Sequence, residues 1–173
     1  MIKYKLLPIL ILFISICYSD DVKQNKIDQD PWIKYFSFVG PYKSIDPIDD
    51  ITKEIIQKGY SNINKHVYKN ISKDIIKVSS QAGRGVQFIQ QLYPGLNVDD
   101  HIIGIANVFS QKDQDVVVVY GEYLSTMEIY VNGDKINLEK QTNKLSRSKL
   151  VKGENRIVVL VKNTTKAGFQ LSI

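Results

Sequence analysis

From residue 101 onward, short β-branched and aromatic runs alternate with turn-forming residues: 101–110 (HIIGIANVFS), 115–120 (DVVVVY), 126–131 (TMEIYV), 135–138 (KINL), 156–162 (RIVVLVK) and 169–173 (FQLSI). Runs recurring at roughly ten-residue intervals predict the strands of an antiparallel sandwich or barrel. In 126–131, Met127, Ile129 and Val131 fall on one face and Thr126, Glu128 and Tyr130 on the other, the period of a half-exposed strand. The run 115–120 lacks that alternation, which predicts a central strand covered on both sides. The turns agree with the strands. Asn132-Gly133 lies between two β runs and suits the positive φ angles of a tight hairpin. Lys152-Gly153-Glu154-Asn155 and Lys166-Ala167-Gly168 punctuate the remaining runs.

The first half is less regular. Residues 32–39 (WIKYFSFV) predict a strand stopped by Gly40-Pro41, and 74–79 (DIIKVS) and 86–92 (VQFIQQL) predict two more, the last ending at Tyr93-Pro94-Gly95. Between them, 49–58 (DDITKEIIQK) predicts a short helix, with Asp49 or Asp50 as its cap and Ile51, Ile55 and Ile56 on one face. The expected fold is all-β: an antiparallel jelly-roll β-sandwich over residues 32–173, with one short helix.

The N-terminus carries a different pattern. Met1, Lys3 and Lys5 precede a nearly unbroken apolar run, 6–16 (LLPILILFISI), closed by Cys17-Tyr18-Ser19 and two aspartates. A basic start, a short apolar stretch and a small-residue exit make an export signal over residues 1–19. The run is shorter than the ~20 apolar residues of a membrane-spanning helix. Two processing routes fit. Cleavage after Ser19 releases a chain beginning at Asp20, and Ile14-Ser15-Ile16-Cys17 resembles a loose bacterial lipobox in which Cys17 becomes the lipidated N-terminus. Cys17 is the one cysteine of the chain, so the processed domain forms no internal disulfide. Residues 20–31, polar and free of aromatics in 20–30, read as a flexible linker, and Trp32 marks the start of the domain.

Composition narrows the partners. The formal net charge of +5 falls to +3, 21 basic against 18 acidic residues, when Lys3 and Lys5 leave with the signal. That is too mild a balance to indicate nucleic acid. The remaining ~150 residues make one domain, large enough to bury ~70% of the extended-chain surface.

In order, these runs and turns resemble the galactose-binding-domain-like β-sandwich modules attached to bacterial glycosidases and other exported proteins. The likeness is carried by Trp32, the Gly40-Pro41-Tyr42 turn, the segment IIKVSSQAGRGVQFIQQL, the hairpin Ile129-Tyr130-Val131-Asn132-Gly133-Asp134-Lys135-Ile136, the closing Leu150-Val151-Lys152-Gly153-Glu154-Asn155-Arg156-Ile157, and Gly168-Phe169-Gln170-Leu171. It covers 32–173. One departure is the middle strand, where the family usually carries a tryptophan and Val78 stands here. The resemblance implies a non-catalytic exported accessory module that binds carbohydrate.

Catalytic motifs are few. HExxH, CxxC, GxSxG and a glycine-rich phosphate loop are all missing from the sequence, and its two histidines, His66 and His101, stand on separate runs. No cofactor or metal is expected; Asp46, Asp49 and Asp50 make the densest oxygen cluster, too few ligands alone for calcium. A sugar needs an aromatic face for its C–H surface and polar partners for its hydroxyls. Trp32, Tyr93 and Tyr123, with Arg84 and Asn97 in neighbouring connections, are therefore the candidate ligand residues. The segment 139–156 carries Lys140, Lys144, Arg147, Lys149, Lys152 and Arg156 against Glu139 and Glu154, which suits either an acidic polysaccharide or a lysine-protected sheet edge. The competing classes are a structural envelope lipoprotein without a small ligand and a small hydrolase using turn carboxylates such as Asp113 and Asp115. A membrane enters only through a lipid anchor at Cys17.

Overall fold

The computed structural model describes residues 9–12, 25–26, 32–33, 35–79, 87–88, 92–119, 121–123, 125–138, 145–164 and 170–172. In chain order the strands are β1 (Ile9–Leu12), β2 (Asn25–Lys26), β3 (Trp32–Ile33), β4 (Tyr35–Tyr42), β5 (Lys65–Tyr68), β6 (Ile71–Ser79), β7 (Gln87–Phe88), β8 (His101–Ser110), β9 (Gln114–Val119), β10 (Gly121–Tyr123), β11 (Ser125–Val131), β12 (Asp134–Lys135), β13 (Leu145–Leu150), β14 (Gly153–Asn163) and β15 (Gln170–Ser172); helix α1 (Ile48–Lys58) lies between β4 and β5. The largest sheet runs β12-β11-β14-β8-β4-β6-β5, antiparallel throughout, and β2 adds to β8 in parallel. A second sheet is ordered β13-β9-β1-β3 and a third β10-β15-β7. Within the second sheet β13 is antiparallel to β9, whereas β1 is parallel to both its neighbours. The chain is thus dominated by antiparallel β-structure, as the strand spacing and turns predict.

Side-chain alternation along β8 and β14 divides the interior in two. Ile102, Ala106 and Val108 of β8, with Ile157, Val159 and Val161 of β14, face one core. Ile103, Ile105, Val158 and Leu160 face the other. The first core also takes Met127, Ile129 and Val131 from β11, as the period-two pattern predicts, and Val116, Val118 and Leu150 from the second sheet. The second core is closed by α1 through Ile51 and Ile55. The large sheet is therefore covered by sheet on one side and helix on the other, and each fully buried aliphatic side chain contributes about 1.5–3 kcal/mol.

Three local features differ from expectation. The strands covered on both faces are β8 and β14; in β9, Val116 and Val118 are buried but Val117 is half-buried and Asp115 exposed. Gly40-Pro41 does not stop its strand: β4 continues to Tyr42, and its register against β8 shifts between Val39 and Tyr42. Such a bulge tolerates proline and changes the facing of the strand: Phe36 and Phe38 face the first core and Val39 the second by ordinary alternation, and past the bulge Tyr42 also enters the second, where unbroken alternation would turn it to the first. At α1 the N-cap is Pro47, with no side-chain cap; Asp49 and Asp50 lie in the first turn, where negative charge favours the helix dipole.

Two turns are built as expected. Asn132 and Gly133 have φ of 53° and 95°, joining Val131 to its partner Asp134 as a tight hairpin. Asn155, at the start of β14, is buried and binds this hairpin to its own turn. Its Oδ1 accepts from the Val151 backbone N–H and from Asn132 Nδ2, both at 2.8 Å, and its Nδ2 donates to the Val151 and Gly153 carbonyls at 2.9 and 3.2 Å. Near the N-terminus, inside the segment read as a linker, Asn25 is buried beside β8. Its Nδ2 donates to the Tyr35 and Asn107 carbonyls and its Oδ1 accepts from the Tyr35 N–H.

Candidate functional site

One end of the large sheet is organised by Asp100. This carboxylate, buried just before β8, accepts from Lys43 Nζ at 2.8 Å and from the Asn97 backbone N–H at 2.8 Å. Burial alone pushes its pKa up, but Lys43 and the Asn97 donors outweigh that and hold it below the ordinary carboxylate value. The loop 93–100 is tied further. The Leu96 N–H donates to the Tyr93 carbonyl, Asn163 Nδ2 donates to the Asn97 carbonyl, and the backbones of Asp99, Asp100 and Asn163 exchange hydrogen bonds. Beside it, Lys162 pairs with Asp99 at 2.7 Å. Burial and the Lys162 charge hold the His101 imidazole below its usual pKa.

The candidate ligand residues are distributed unevenly over this frame. Tyr93 is buried in the first core, where burial raises its phenol pKa. Asn97 is exposed, but its amide donates to the Gly95 carbonyl and leans on Asp100. Both hold the loop. Tyr123 is described by its backbone: it lies two residues before Ser125, whose register partner is Asn163, so β10 reaches the same end. Trp32, also described by its backbone, pairs with Ile11 in the second sheet. It precedes Tyr35, which stands at the opposite end of β4 from Tyr42 and His101. Arg84 and Cys17 lie outside the described residues.

The uncommitted chemistry is elsewhere, on β9 and β13. Asp115, Arg147, Ser148 and Lys149 line a shallow open cleft of about 330 Å³, at the small end of the ~300–1,000 Å³ of ligand pockets. Register explains why Asp115, Arg147 and Lys149 group, whereas Ser148, the partner of Val116, belongs to the opposite face. Lys149 pairs with Asp115 and Arg147 with Val117, and directly paired residues share a face. The opposite face of these strands, Val116, Val118, Ser146 and Leu150, is buried. The strands are thus pinned from below while their charged positions face out. Arg147 and Lys149 are exposed, and among the described residues neither makes an ion pair or hydrogen bond. Strand β13 is an edge of its sheet, which leaves alternate backbone N–H and C=O groups open as well.

The carboxylates named for hydrolysis do not converge. Asp113 accepts the Lys152 backbone N–H at 2.6 Å and so closes the turn after β13, while Asp115 stands in the cleft with the two cations. Among the described residues no group of three or more His, Cys, Asp and Glu side chains is placed to hold a metal ion. Asp46, from the aspartate cluster before the helix, accepts the Lys43 N–H within a turn.

No protein-family model matches the chain, and no curated protein or solved structure matches it either.

The sequence points to the basic segment and to Asp115 separately but not to their union, since Lys149 and its partner Asp115 are 34 residues apart in the chain (149 − 115). The Lys43–Asp100 tie, 57 residues apart, leaves no local signal at all.

Proposed function

We propose that the chain is a non-catalytic exported module, soluble or lipid-anchored at Cys17, with a galactose-binding-like jelly-roll sandwich that binds carbohydrate. The observation carrying this reading is the cleft of β9 and β13. It is an open, solvent-facing surface where a guanidinium, an ammonium and a carboxylate stand on paired strands without ion-pair partners among the described residues. Sugar hydroxyls donate to carboxylates and accept from cationic N–H groups, and such charge-assisted bonds are roughly twice as strong as neutral ones. The antiparallel strands, the Asn132-Gly133 hairpin and the Asn155 turn support the galactose-binding-like assignment, and the basic-then-apolar start supports export. Commitment of Asp113 to its turn favours binding over hydrolysis, because glycoside hydrolysis needs two carboxyl groups across one bond.

A glycan panel probed with the native protein at millimolar sugar tests the reading. Retention of at least one glycan class without turnover is expected. Absence of binding to every glycan would overturn it in favour of a structural envelope protein, and release of product from chromogenic glycosides, lost in an Asp113→Asn, Asp115→Asn double variant, would overturn it in favour of a hydrolase.

A further inference from the structure

We infer that the β9–β13 cleft selects anionic glycans, sugars bearing a carboxylate or sulfate group, with Arg147 and Lys149 as the residues that take the charge. The inference rests on the carbohydrate-binding reading and names the class of sugar. Its first ground is charge. Among the described residues, two of the four that line it are cations and one is an anion, so that described lining carries an excess of positive charge before any ligand arrives. Lys149 is the register partner of Asp115, yet the two make no ion pair, and Arg147 is opposite Val117, which offers it no counter-ion. A planar guanidinium free of partners matches a carboxylate or sulfate with two parallel hydrogen bonds.

The second ground is placement. Arg147 and Lys149 are two apart on one strand, so both project from the same face, spaced about 6.6–7 Å along β13 by the strand rise. A saccharide lying along that edge presents an acidic group to one or both cations. Its hydroxyls reach the Asp115 carboxylate and the open backbone groups of the edge strand. Lys152, exposed in the turn that follows β13, extends the positive strip past the cleft. A neutral sugar could use Asp115 and the backbone but would leave both cations unanswered.

The test is affinity electrophoresis of the full chain through gels containing polygalacturonate, chondroitin sulfate, neutral galactan or polyglutamate. Retardation by one or both acidic glycans and not by galactan is expected, the two acidic arms separating carboxylate from sulfate recognition. Binding should weaken at least about tenfold in an Arg147→Gln, Lys149→Gln variant, the loss of one charge-assisted contact or more, and fall as salt shortens the Debye length from ~10 Å toward ~3 Å. A Lys53→Gln, Lys112→Gln variant, altered at exposed lysines elsewhere, should bind as the parent does. Equal retardation by galactan would overturn the acidic preference while leaving carbohydrate binding standing. Equal retardation by polyglutamate, or acidic-glycan binding unchanged in the Arg147, Lys149 variant, would overturn the assignment of these residues. Silence in all four gels, with binding also absent on the glycan panel, would overturn the underlying reading as well.

Discussion

Replacing Asn155 with alanine is the perturbation with the clearest structural arithmetic. The amide makes four hydrogen bonds of 2.8–3.2 Å, two through Oδ1 and two through Nδ2, and a longer one of 3.4 Å to the Val108 carbonyl. At a net ~0.5–1.5 kcal/mol each, losing the four shorter bonds costs about 2–6 kcal/mol. Water reaching the exposed Val151 offsets part of this and puts the expected cost near 3 kcal/mol, a large share of the ~5–15 kcal/mol that holds a domain folded. For a domain of this size that is a fall in Tm of about 6–12 °C. The assay is thermal and urea unfolding of Asn155→Ala beside Asn132→Gly. The second variant preserves the positive φ of Asn132 and removes its links to Asn155 and to the Arg156 N–H, at an expected ~1–2 kcal/mol. Because the two side chains bond each other, the double variant should cost less than the sum of the singles. A shift below about 1 kcal/mol for Asn155→Ala, or strict additivity in the cycle, would refute the claim that Asn155 joins the Asn132-Gly133 hairpin to the turn before β14.

Other expectations follow from single contacts. A Cβ at Gly104 would meet Phe38 at 2.6 and 2.9 Å and Phe36 at 3.3 Å, so Gly104→Ala should destabilise the chain by ~1–3 kcal/mol through overpacking, read as a lower urea midpoint at unchanged slope; an unchanged midpoint would show the rings yield freely. His66 is buried and its pKa is held below the ordinary value by that burial, with Glu54 opposing, so the unfolded chain takes up the proton first. Stability should therefore be full above about pH 6.5 and fall as pH drops from there toward the lower folded pKa. His101 shares that sign. Tm measured at about pH 7.5 and 5.5 should drop, and drop less in His66→Gln; an equal Tm at the two values would contradict the assignment. The intact mass of the native protein should match either unmodified 20–173 or a chain starting at acylated Cys17, and a mass retaining Met1 would remove the export reading.

What was legible in the sequence is what is local. The period-two pattern of Met127, Ile129 and Val131, the helix around Ile51 and Ile55, and the Asn132-Gly133 turn each depend on residues within one or two turns of chain, and each stands in the structure as read. Features that depend on partners distant in sequence were not legible. The four valines of β9 looked fully buried because apolarity alone does not say whether a second layer covers the outer face. Gly40-Pro41 read as a stop because the bulge that accommodates it is created by the pairing with β8. The burial of Tyr93 and the part Asn97 plays in its loop were not legible, because nothing nearby announces Asp100's pull on Lys43 or Asn163's hold on the loop. The cleft had its cations flagged but not its shape, which appears only when β13 is set against β9.

The docking of Asn25 also sets a length. A chain at full extension spans about 3.3–3.6 Å per residue. Were the domain to begin at Trp32, an acylated Cys17 would hold it on a leash of fifteen residues, about 50 Å. With Asn25 latched to β8, the span from such an anchor would be eight residues, at most about 27 Å at the same rise. That shorter reach cuts the volume swept from a fixed anchor about sixfold and raises the effective concentration against anything within range by the same factor. Were Cys17 acylated, Asn25→Ala would loosen this latch and lengthen that reach without altering a residue of the cleft.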